Sequence, residues 1–457
     1  MELVKALRIG SNTRLAFTGA GGKTTALFQT AQQLWRRGEV QRVLVTASTH
    51  LAQEQLSLAH HHYSIQTTSD LEDILTNLPK GIHLLTGPPD TEERVSGLSL
   101  QLLDIIHDFA QKNKYPVLIE ADGSRQRPLK APEGHEPVIP LWVSKVVVLA
   151  GLSALDKPLN DTWVHRPDQF SSITKIQRNE AINAEGIEKL LIHPDGGLKG
   201  IPSHAHRTLL LNQADNNEHL ATASRISKTL LDAYHAVLVS RLDPPQESGV
   251  LPAGVLAVYE PIAGIILAAG KSSRMGALKQ TLIWRGEALV KHAARTALDS
   301  GLKPVIVVTG YNADKVCSAV NDLPVTCIHN PAWEAGQSSS VIAGINSLSE
   351  VIGGAIFLLA DQPCIPVTLV RKLVESHTRT LGAITAPLID GQRANPVLFD
   401  QAVFTELRSL KGDVGGRSIF PHHRINWLPW HDETPLIDID SPEDYNRLLN
   451  PQQENSH

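Results

Sequence analysis

The sequence predicts an α/β protein with two doubly wound domains. Short apolar runs of strand length alternate with longer amphipathic stretches, and this alternation is typical of parallel strands joined by crossover helices. The pattern occurs twice, before and after a segment rich in proline and glycine. The chain has 457 residues, of which 42% are hydrophobic, so it supplies enough apolar side chains for two large cores. We therefore expect two three-layer, Rossmann-like domains.

The apolar runs locate the expected strands, and the amphipathic stretches after them locate the expected helices. In the first half, strands are predicted at residues 15–18, 42–46, 117–120, 145–150, 208–212 and 236–240, and helices at 24–37 and 99–111. In the second half, strands are predicted at 263–267, 304–309, 355–359 and 383–387, and helices at 288–300, 313–320 and 366–376.

A cluster of residues that break helices and strands divides the two halves. Pro244, Pro245, Pro252 and Pro261 follow one another closely, with glycines between them. This density interrupts both kinds of regular structure. We expect a first domain at residues 1–250, a linker at 251–261, a second domain at 262–450 and a frayed polar tail at 451–457.

Composition and charge exclude several classes of protein. The formal net charge is −5 at pH 7 without any block of like charge, which argues against a nucleic-acid-binding protein. No signal peptide and no uninterrupted run of about 18 apolar residues is visible, which argues against secretion and membrane insertion. Cys317, Cys327 and Cys364 are too few and too scattered for a disulfide framework or a thiolate zinc site. We expect a cytoplasmic protein that acts on small molecules.

A glycine-rich segment follows the first predicted strand and leads directly into the first predicted helix. We call this segment, Gly19-Ala20-Gly21-Gly22-Lys23-Thr24-Thr25, glycine loop 1. Glycines let backbone N–H groups turn toward a phosphate, and the helix N-terminus adds a favourable dipole. Lys23 would contact the β- and γ-phosphates and Thr24 would bind Mg²⁺, as in a P-loop. A P-loop has a further glycine where this chain has Phe17, so we expect a shortened P-loop that binds ATP or GTP.

Acidic and amide side chains follow two other predicted strands of the first half. The strand at 117–120 ends in Glu120, and Asp122 comes two residues later; either carboxylate could bind the metal of glycine loop 1. Asn212 and Asp215 resemble the base-reading Asn-Lys-x-Asp of GTP-binding proteins, with a glutamine in place of the lysine. That substitution weakens the prediction of a guanine site.

A basic cluster follows the first of these strands. Arg125, Arg127 and Lys130 predict either a site for an anionic ligand or a solvated loop. Together with glycine loop 1, the segments VTASTH, EADGSRQRPLKAP, HEPVIP and LNQAD resemble the YqeC family of selenium-dependent hydroxylase accessory proteins over essentially all of residues 1–250. The resemblance implies a nucleotide-binding accessory role in the maturation of molybdenum hydroxylases, which makes an apo-hydroxylase an expected partner.

The longest motif of the chain follows the predicted strand at 263–267. We call residues 267–279, LAAGKSSRMGALK, glycine loop 2. Its small residues would let main-chain N–H groups wrap a nucleoside triphosphate, and its cations would neutralise charge that develops during attack at the α-phosphorus. Arg274 and Lys279 are therefore candidate catalytic cations. The candidate nucleotide-binding residues of this loop are Leu267, Ala268, Ala269, Gly270, Ser272, Ser273 and Gly276.

Acidic residues also follow predicted strands in the second half. Asp361 lies just past the strand at 355–359, at the carboxyl end where doubly wound sheets bind ligands. Residues 436–445 predict a short strand that carries Asp438 and Asp440, followed by a capped helix. Because Mg²⁺ keeps waters and substrate phosphates as ligands, one or two carboxylates suffice. We expect Asp361 to bind it with either Asp438 or Asp440, although Asp440 could instead brace the turn into the helix.

Several motifs of the second half belong together. LAAGKSSRMGALK, NPAWEAGQSSSV, LLADQP, NPVLF, LKGDVGGR and DIDSPEDY resemble the MobA-like nucleotidyltransferases, and among them the molybdenum cofactor cytidylyltransferases, from about residue 263 to residue 449. The resemblance implies a nucleotidyltransferase fold and the transfer of CMP from CTP to the phosphate of the molybdenum cofactor (molybdopterin). It also implies that Gly336 and Ser338 approach the base, ribose or pterin, and that Lys411 and Asp413 lie beside the acceptor.

Two alternatives stay open at the level of sequence. Sugar- and alditol-phosphate nucleotidyltransferases share the glycine-rich signature, although GQSSSV and DIDSPEDY favour the molybdenum branch. Both glycine loops could also serve only to bind nucleotides in a carrier or chaperone that hands the cofactor to a hydroxylase. Pyrophosphate release from CTP in the presence of the cofactor distinguishes a transferase from a carrier.

Overall fold

The computed structural model describes residues 1–242, 254–272 and 275–450. The chain divides into two units, Met1–Tyr259 and Glu260–His457. The predicted tail at 451–457 lies outside the described residues, as do Ser273 and Arg274 of glycine loop 2. Within the described ranges, every helix is too short or insufficiently apolar to cross a lipid bilayer.

The first unit alternates strands and helices, as the apolar pattern predicts. Its strands are β1 (Arg14–Gly19), β2 (Arg42–Ala47), β3 (Leu51–Ala52), β4 (His61–Ser64), β5 (Gly81–Thr86), β6 (Pro89–Thr91), β7 (Arg94–Val95), β8 (Val117–Glu120), β9 (Leu129–Lys130), β10 (Lys145–Gly151), β11 (Val164–His165), β12 (His206–Asn212), β13 (Ala236–Arg241) and β14 (Gly254–Tyr259). Its helices are α1 (Leu3–Ala6), α2 (Lys23–Arg36), α3 (Thr68–Thr76), α4 (Leu100–Asn113), α5 (Pro167–Thr174), α6 (Ala184–Ile192) and α7 (Asn217–Leu230).

One large sheet organises the first unit. Its strand order is β14-β13-β12-β10-β1-β8-β2-β5-β4, and every neighbouring pair is parallel except β13 and β14. β1 therefore lies inside the sheet between β8 and β10, with its carboxyl end beside theirs. Glycine loop 1 leaves the sheet at this central position and leads into α2, which contacts β2 and β8.

The structure corrects the predicted linker at 251–261. Residues 254–259 form β14, an antiparallel edge strand in which Val255, Ala257 and Val258 are buried. The prolines around this segment break helices but are compatible with an edge strand, which needs only one row of ladder hydrogen bonds. The first sheet therefore extends to Tyr259, beyond the predicted boundary at residue 250.

The second unit has its own strands and helices. Its strands are β15 (Ile262–Ala268), β16 (Ile283–Trp284), β17 (Glu287–Ala288), β18 (Val305–Thr309), β19 (Thr326–His329), β20 (Gly354–Leu359), β21 (Ile384–Ile389), β22 (Gln392–Arg393), β23 (Val397–Asp400) and β24 (Ile425–Pro429). Its helices are α8 (Leu289–Asp299), α9 (Ala313–Ser318), α10 (Gln337–Asn346), α11 (Val367–Thr380), α12 (Phe404–Arg408) and α13 (Pro442–Leu449).

The main sheet of the second unit is mixed, which corrects the expectation of a wholly parallel sheet. Its order is β19-β18-β15-β20-β23-β21-β22, with β24 also paired to β21. The strands β15, β18, β19 and β20 are parallel, whereas β23 runs antiparallel to both β20 and β21. Buried residues of α8 and α11 pack on one face, and those of α10 and α12 pack on the other. The α/β class and the three layers of this unit are confirmed.

The acidic segment near the end of the second unit differs from its prediction. Residues 437–440 form no strand. They run as an extended loop in which the Ile439 N–H donates to the Asp361 carbonyl oxygen at 3.1 Å. The predicted capped helix is α13, where the Ser441 hydroxyl accepts from the Asp444 N–H and the Asp444 carboxylate accepts from the Ser441 N–H. An isolated backbone hydrogen bond thus holds this segment next to the carboxyl end of β20, and no ladder of strand hydrogen bonds forms.

A buried histidine makes the first unit sensitive to acid. His83 in β5 is fully buried, and its Nε2 lies 2.9 Å from the Pro79 carbonyl oxygen. Its Nδ1 has no hydrogen-bond partner in the described ranges of the chain. Burial lowers the pKa of His83 to about 4, although the hydrogen bond with the Pro79 carbonyl oxygen raises it in part. Because this pKa lies below the ordinary 6.5, the unfolded chain binds the proton first as the pH falls.

We therefore expect the free energy of unfolding of the first unit to decrease as the pH falls from about 6.5 to about 4. His83→Phe should reduce this decrease, whereas His135→Gln, at an exposed site, should leave it unchanged. Hydrogen exchange of β5 amides as a function of pH measures the effect. An unchanged pH dependence in His83→Phe would contradict the prediction.

Candidate functional site

Glycine loop 1 has a backbone that other residues could not adopt without strain. Gly22 has φ +114° and caps the N-terminus of α2, and Gly19 has φ +92° at the end of β1. A Cβ on Gly19 would lie 2.3 Å from the Leu149 carbonyl oxygen, and one on Gly22 would lie 2.7 Å from Asn212 Nδ2. The glycines therefore allow β1, β10 and β12 to approach the loop closely.

Lys23 and Thr24 start α2 beside the carboxyl end of β8. The Thr24 hydroxyl donates to Glu120 Oε2 at 2.8 Å, and Lys23 Nζ donates to the Gly19 carbonyl oxygen at 2.7 Å. Lys23 Nζ also lies 4.0 Å from Glu120 Oε1. Burial raises the pKa of Glu120, although the Lys23 charge and the Thr24 hydroxyl oppose this. The structure thus brings together the three side chains predicted for a nucleotide and metal site; Thr25 lies half-buried in the same turn.

Asp122, the other predicted metal ligand, is enclosed by the protein. Its side chain is 1% exposed and accepts hydrogen bonds from the Thr18 hydroxyl, the Gly19 N–H and Lys130 Nζ. Lys23 Nζ lies 3.4 Å from Asp122 Oδ1. These contacts make Asp122 an anchor that holds the end of β1 and Lys23 in place, and they leave Glu120 as the carboxylate beside Thr24.

The predicted basic cluster separates into two parts. Lys130 is buried, and its Nζ contacts Asp122 at 2.8 Å and Glu136 at 2.7 Å. Burial by itself would raise the pKa of Glu136, but hydrogen bonds from Arg166 and Lys130 lower it to about 2. Lys130 is therefore a buried cation paired with two carboxylates, which corrects the prediction of a solvated basic loop at this residue. Arg125 is exposed and Arg127 is half-buried.

Asn212 and Asp215, which resemble a base-reading pair in the sequence, lie in different surroundings. Asn212 is 2% exposed; its Nδ2 donates to the Gly21 carbonyl oxygen at 2.8 Å, and its Oδ1 accepts from Ser240 and the Leu242 N–H. Both ends of the amide are thus used to support glycine loop 1. Asp215, by contrast, is exposed to solvent.

Glycine loop 2 leaves the end of β15 and returns through a short 3-10 helix at Lys279–Thr281. Ala268 and Ala269 are buried, Leu267 is half-buried, and Gly270 and Gly276 are exposed. Gln280 fixes the loop, because its Nε2 donates to the Gly270 carbonyl oxygen and its Oε1 accepts from the Ser272 hydroxyl. The predicted contributions of Ser273 and Arg274 fall outside the described residues.

Lys279 extends from this loop to the carboxylates predicted for metal binding. Its Nζ is 2.5 Å from Asp361 Oδ2 and 2.8 Å from Asp440 Oδ1, and its side chain is 12% exposed. Although burial lowers the pKa of Lys279, the charges of Asp361 and Asp440 give a net increase. Asp361 Oδ1 is buried and has no hydrogen-bond partner among the described residues. The structure thus brings the candidate catalytic cation Lys279 together with two candidate metal ligands, Asp361 and Asp440.

Asp438 lies beside the same group but has a different partner. Its Oδ1 accepts from Gln362 Nε2 at 2.6 Å. Desolvation raises the pKa of Asp438, and the neighbouring Asp361 and Asp440 raise it further, whereas the Gln362 hydrogen bond opposes the shift. Sequence analysis missed Gln362, and its position directly after Asp361 at the end of β20 was the signal that could have identified it.

A second group of polar residues surrounds the N-terminus of α10. Gly336, with φ +102°, precedes the helix; the Gln337 N–H donates to Asp413 Oδ1 at 3.1 Å, and the Ser338 hydroxyl donates to the Gly412 carbonyl oxygen at 2.6 Å. The segment around Gly336, implied to approach the base, and the segment around Asp413, implied to lie beside the acceptor, are therefore in contact. Contacts through Tyr311 connect them to glycine loop 2, because the Tyr311 N–H donates to the Ala269 carbonyl oxygen and its ring packs against Trp333.

Two family models match the chain over the parts that carry these sites. The model of the YqeC protein matches residues 15–168, and that of the MobA-like NTP transferase domain matches residues 264–426. A curated YqeC protein of Escherichia coli is 30% identical over 226 residues, which are 48% of this chain and 82% of that protein. The first half of the chain belongs to the YqeC family and the second to the MobA-like NTP transferases.

The MobA-like half has curated relatives with different names. Nicotine blue oxidoreductase of Paenarthrobacter nicotinovorans is 31% identical over 199 residues, which are 41% of this chain and 96% of that protein. Molybdenum cofactor cytidylyltransferase of Escherichia coli is 27% identical over 182 residues, which are 40% of this chain and 92% of that protein. The MobA-like half therefore spans nearly the whole length of both relatives, and the YqeC half precedes it in the same chain.

Proposed function

We propose that the MobA-like half is a CTP:molybdenum cofactor cytidylyltransferase, and that the YqeC half is a nucleotide-binding accessory domain for the maturation of a molybdenum hydroxylase. The observation that carries the first proposal is the contact of Lys279 with Asp361 and Asp440 at the end of glycine loop 2. A cation on a small-residue loop beside paired carboxylates suits the binding of a metal-complexed triphosphate. The similarity to a protein named molybdenum cofactor cytidylyltransferase supports the choice of substrates.

In the proposed reaction, a phosphate oxygen of the cofactor bonds to the α-phosphorus of CTP while the bond to the β-phosphate breaks and pyrophosphate leaves. The attacking phosphomonoester is largely deprotonated near neutral pH, since its second pKa is about 6, so no strong general base is needed. Lys279 would stabilise charge on the triphosphate, and the N–H groups of glycine loop 2 would orient it.

The carboxylates beside Lys279 fit a divalent cation. Within the residues that the structure describes, one buried oxygen of Asp361 has no hydrogen-bond partner. The negative charges of Asp361, Asp438 and Asp440 repel one another unless a cation lies near. Among the described residues no group of three or more His, Cys, Asp or Glu forms a metal site, but Mg²⁺ bound with substrate phosphates needs only one or two carboxylates. Asp361 and Asp440 would hold it, and Mg²⁺ would supply charge neutralisation at the phosphates.

Product analysis tests this proposal against its rivals. The full chain is incubated with Mg²⁺, the molybdenum cofactor and each nucleoside triphosphate, and products are identified by mass spectrometry. A CMP-modified cofactor with stoichiometric pyrophosphate is expected. Transfer only to sugar or alditol phosphates would assign a different nucleotidyltransferase, and binding without turnover would assign a carrier.

We further propose that glycine loop 1 is a shortened P-loop for ATP or GTP. The supporting observation is the hydrogen bond from the Thr24 hydroxyl to Glu120. The same hydroxyl oxygen accepts from Gln55 Nε2 at 3.3 Å, which leaves one lone pair for a metal ion. The Asn212 contacts argue against recognition of guanine by that side chain. Thr24 and Glu120 would hold Mg²⁺, and Lys23 would contact the phosphates.

We expect Lys23→Met to weaken nucleoside triphosphate binding by the YqeC half at least about tenfold, since a hydrogen bond to a charged group contributes about 1.5 kcal/mol or more. Fluorescent ATP and GTP analogues measure the affinity, with excess unlabelled CTP present to occupy the second site. Lys112→Met, at an exposed position in the last turn of α4, is the matched control. Equal affinities in the two variants would contradict a P-loop.

The base preference of the MobA-like half should depend on Ala269. This residue is 6% exposed in glycine loop 2, and by resemblance the loop passes near the base, where guanylyltransferases have glycine. A methyl group there disfavours a bicyclic purine, and steric differences of this size change kcat/KM by roughly ten- to two-hundredfold. We expect CTP to exceed GTP in kcat/KM and Ala269→Gly to narrow the ratio without inverting it. Competition kinetics decides this, and a wild-type preference for GTP would reject the cytidylyl assignment.

A further inference from the structure

The ammonium group of Lys279 lies between two carboxylates from separate segments of the second unit. Asp361 follows β20, and Asp440 precedes α13. Nζ is 2.5 Å from an oxygen of the first and 2.8 Å from an oxygen of the second. The other oxygen of Asp361 is buried and has no hydrogen-bond partner in the described part of the chain. Lys279 therefore fills a position that is built from carboxylate oxygens.

We propose that Lys279 takes the place of the divalent cation in the nucleotide-free protein, and that the cation site opens only when a triphosphate draws this side chain away. The inference rests on the proposed function, because it uses the same Asp361 and Asp440 as cation ligands. It adds that metal and nucleoside triphosphate bind cooperatively, so that free metal alone binds weakly.

The charges at this position favour the exchange of the Lys279 ammonium for a divalent cation. Lysine carries a compact point charge, and at contact distance it repels a divalent cation that competes for the same oxygens. Without any cation, Asp361, Asp438 and Asp440 would face one another as like charges, so Lys279 stabilises the empty site. A triphosphate offers the ammonium new anionic partners and releases Asp361 for the metal. By linkage, the metal then increases the affinity for the triphosphate by the same factor.

The backbone connects the lysine to the loop that would bind the triphosphate. The Lys279 N–H donates to the Ser272 hydroxyl at 3.3 Å, and Ser272 has φ +55°, a left-handed conformation. The next residue, Gln280, donates to the Gly270 carbonyl oxygen at 2.9 Å. A ligand that rearranges glycine loop 2 therefore acts directly on the residues that carry the Lys279 side chain.

The test measures Mn²⁺ binding to the full chain without nucleotide, by electron paramagnetic resonance. We expect Lys279→Gln to bind Mn²⁺ about tenfold more tightly than the wild type, within the range of typical coupling effects. Glutamine can still donate hydrogen bonds to the carboxylates, which favours correct folding. Lys279→Met should show the same gain, so the result does not depend on one replacement. Adding Asp361→Asn to either variant should abolish the gain.

The matched control is Lys291→Gln. Lys291 also lies between two carboxylates, 2.7 Å from Asp322 and 3.6 Å from Glu287. Asp322 is exposed, however, and Glu287 keeps its ion pair with Arg295 when Lys291 is replaced. Its Mn²⁺ affinity should equal that of the wild type. Equal, weaker or undetectable Mn²⁺ binding in both Lys279 variants would overturn the exchange, even if cytidylyl transfer is observed. Absence of transfer with every nucleotide, together with the expected Mn²⁺ gain, would instead reject the proposed function alone.

Discussion

Asp361→Ala and Lys279→Ala should each lower the rate of cytidylyl transfer at least about a hundredfold while the protein stays folded. Both side chains lie at the end of glycine loop 2, where they contact each other at 2.5 Å. Removing one preorganised charge from a developing transition state typically costs about 3 kcal/mol or more. Single-turnover rates of pyrophosphate release at saturating CTP and Mg²⁺ measure the loss.

A partly exposed ion pair provides the control for this experiment, since the Asp322 side chain is 54% exposed and that of Lys291 17%. Lys291→Ala and Asp322→Ala remove an ion pair of similar length, 2.7 Å, on the surface of the same unit. Exposed pairs contribute little, so these variants should keep rates within about twofold of the wild type. A near-normal rate in Asp361→Ala or Lys279→Ala would show that the site lies elsewhere.

Asp122→Ala should destabilise the first unit by about 3 kcal/mol or more, because it leaves Lys130 as a buried cation with one carboxylate partner fewer. Asp122 and Lys130 are each 1% exposed, and Asp122 also accepts from Thr18 and the Gly19 N–H. Hydrogen exchange of β1 and β8 amides in a urea series reports the free energy of opening of this unit.

A surface ion pair of the same unit is the comparison for Asp122. Asp168 pairs with Arg178 but is 77% exposed, so Asp168→Ala should cost about 1 kcal/mol or less. If the two variants open with equal free energies, Asp122 is not the anchor that its contacts indicate.

The central strands could be predicted because they are apolar runs buried on both faces. β1, β8, β10, β12 and β13 were all located within two residues from the sequence. β4 and β5 were missed for a physical reason: histidines occupy them, and a polar side chain such as His83 interrupts an apolar run even where the fold buries it. β14 was missed because its surroundings are rich in proline.

Candidate site residues could be predicted from the sequence where their position depends on neighbouring residues, but not where it depends on distant ones. Glycine loops, Lys23, Lys279 and Asp361 were identifiable because each depends on a local strand–loop–helix pattern. The burial of Lys130 was not, because it depends on residues distant in sequence: β9 pairs with β11, whose first residue is Val164, and Lys130 pairs with Asp122. Asn212 was predicted as a base reader, but its position under glycine loop 1 depends on the neighbouring β13.

The edge strand β14 has a practical consequence for dividing this protein. β13 is buried along its whole length, and β14 covers the ladder groups on its outer side. A fragment that stops near residue 242 would leave that row of N–H and C=O groups open to another copy, which is how unprotected edges lead to self-association and aggregation. Interrupted translation or proteolysis before residue 254 would therefore release a first half prone to self-association, whereas a cut between Tyr259 and Glu260 would keep β14 paired to β13 as the outer strand.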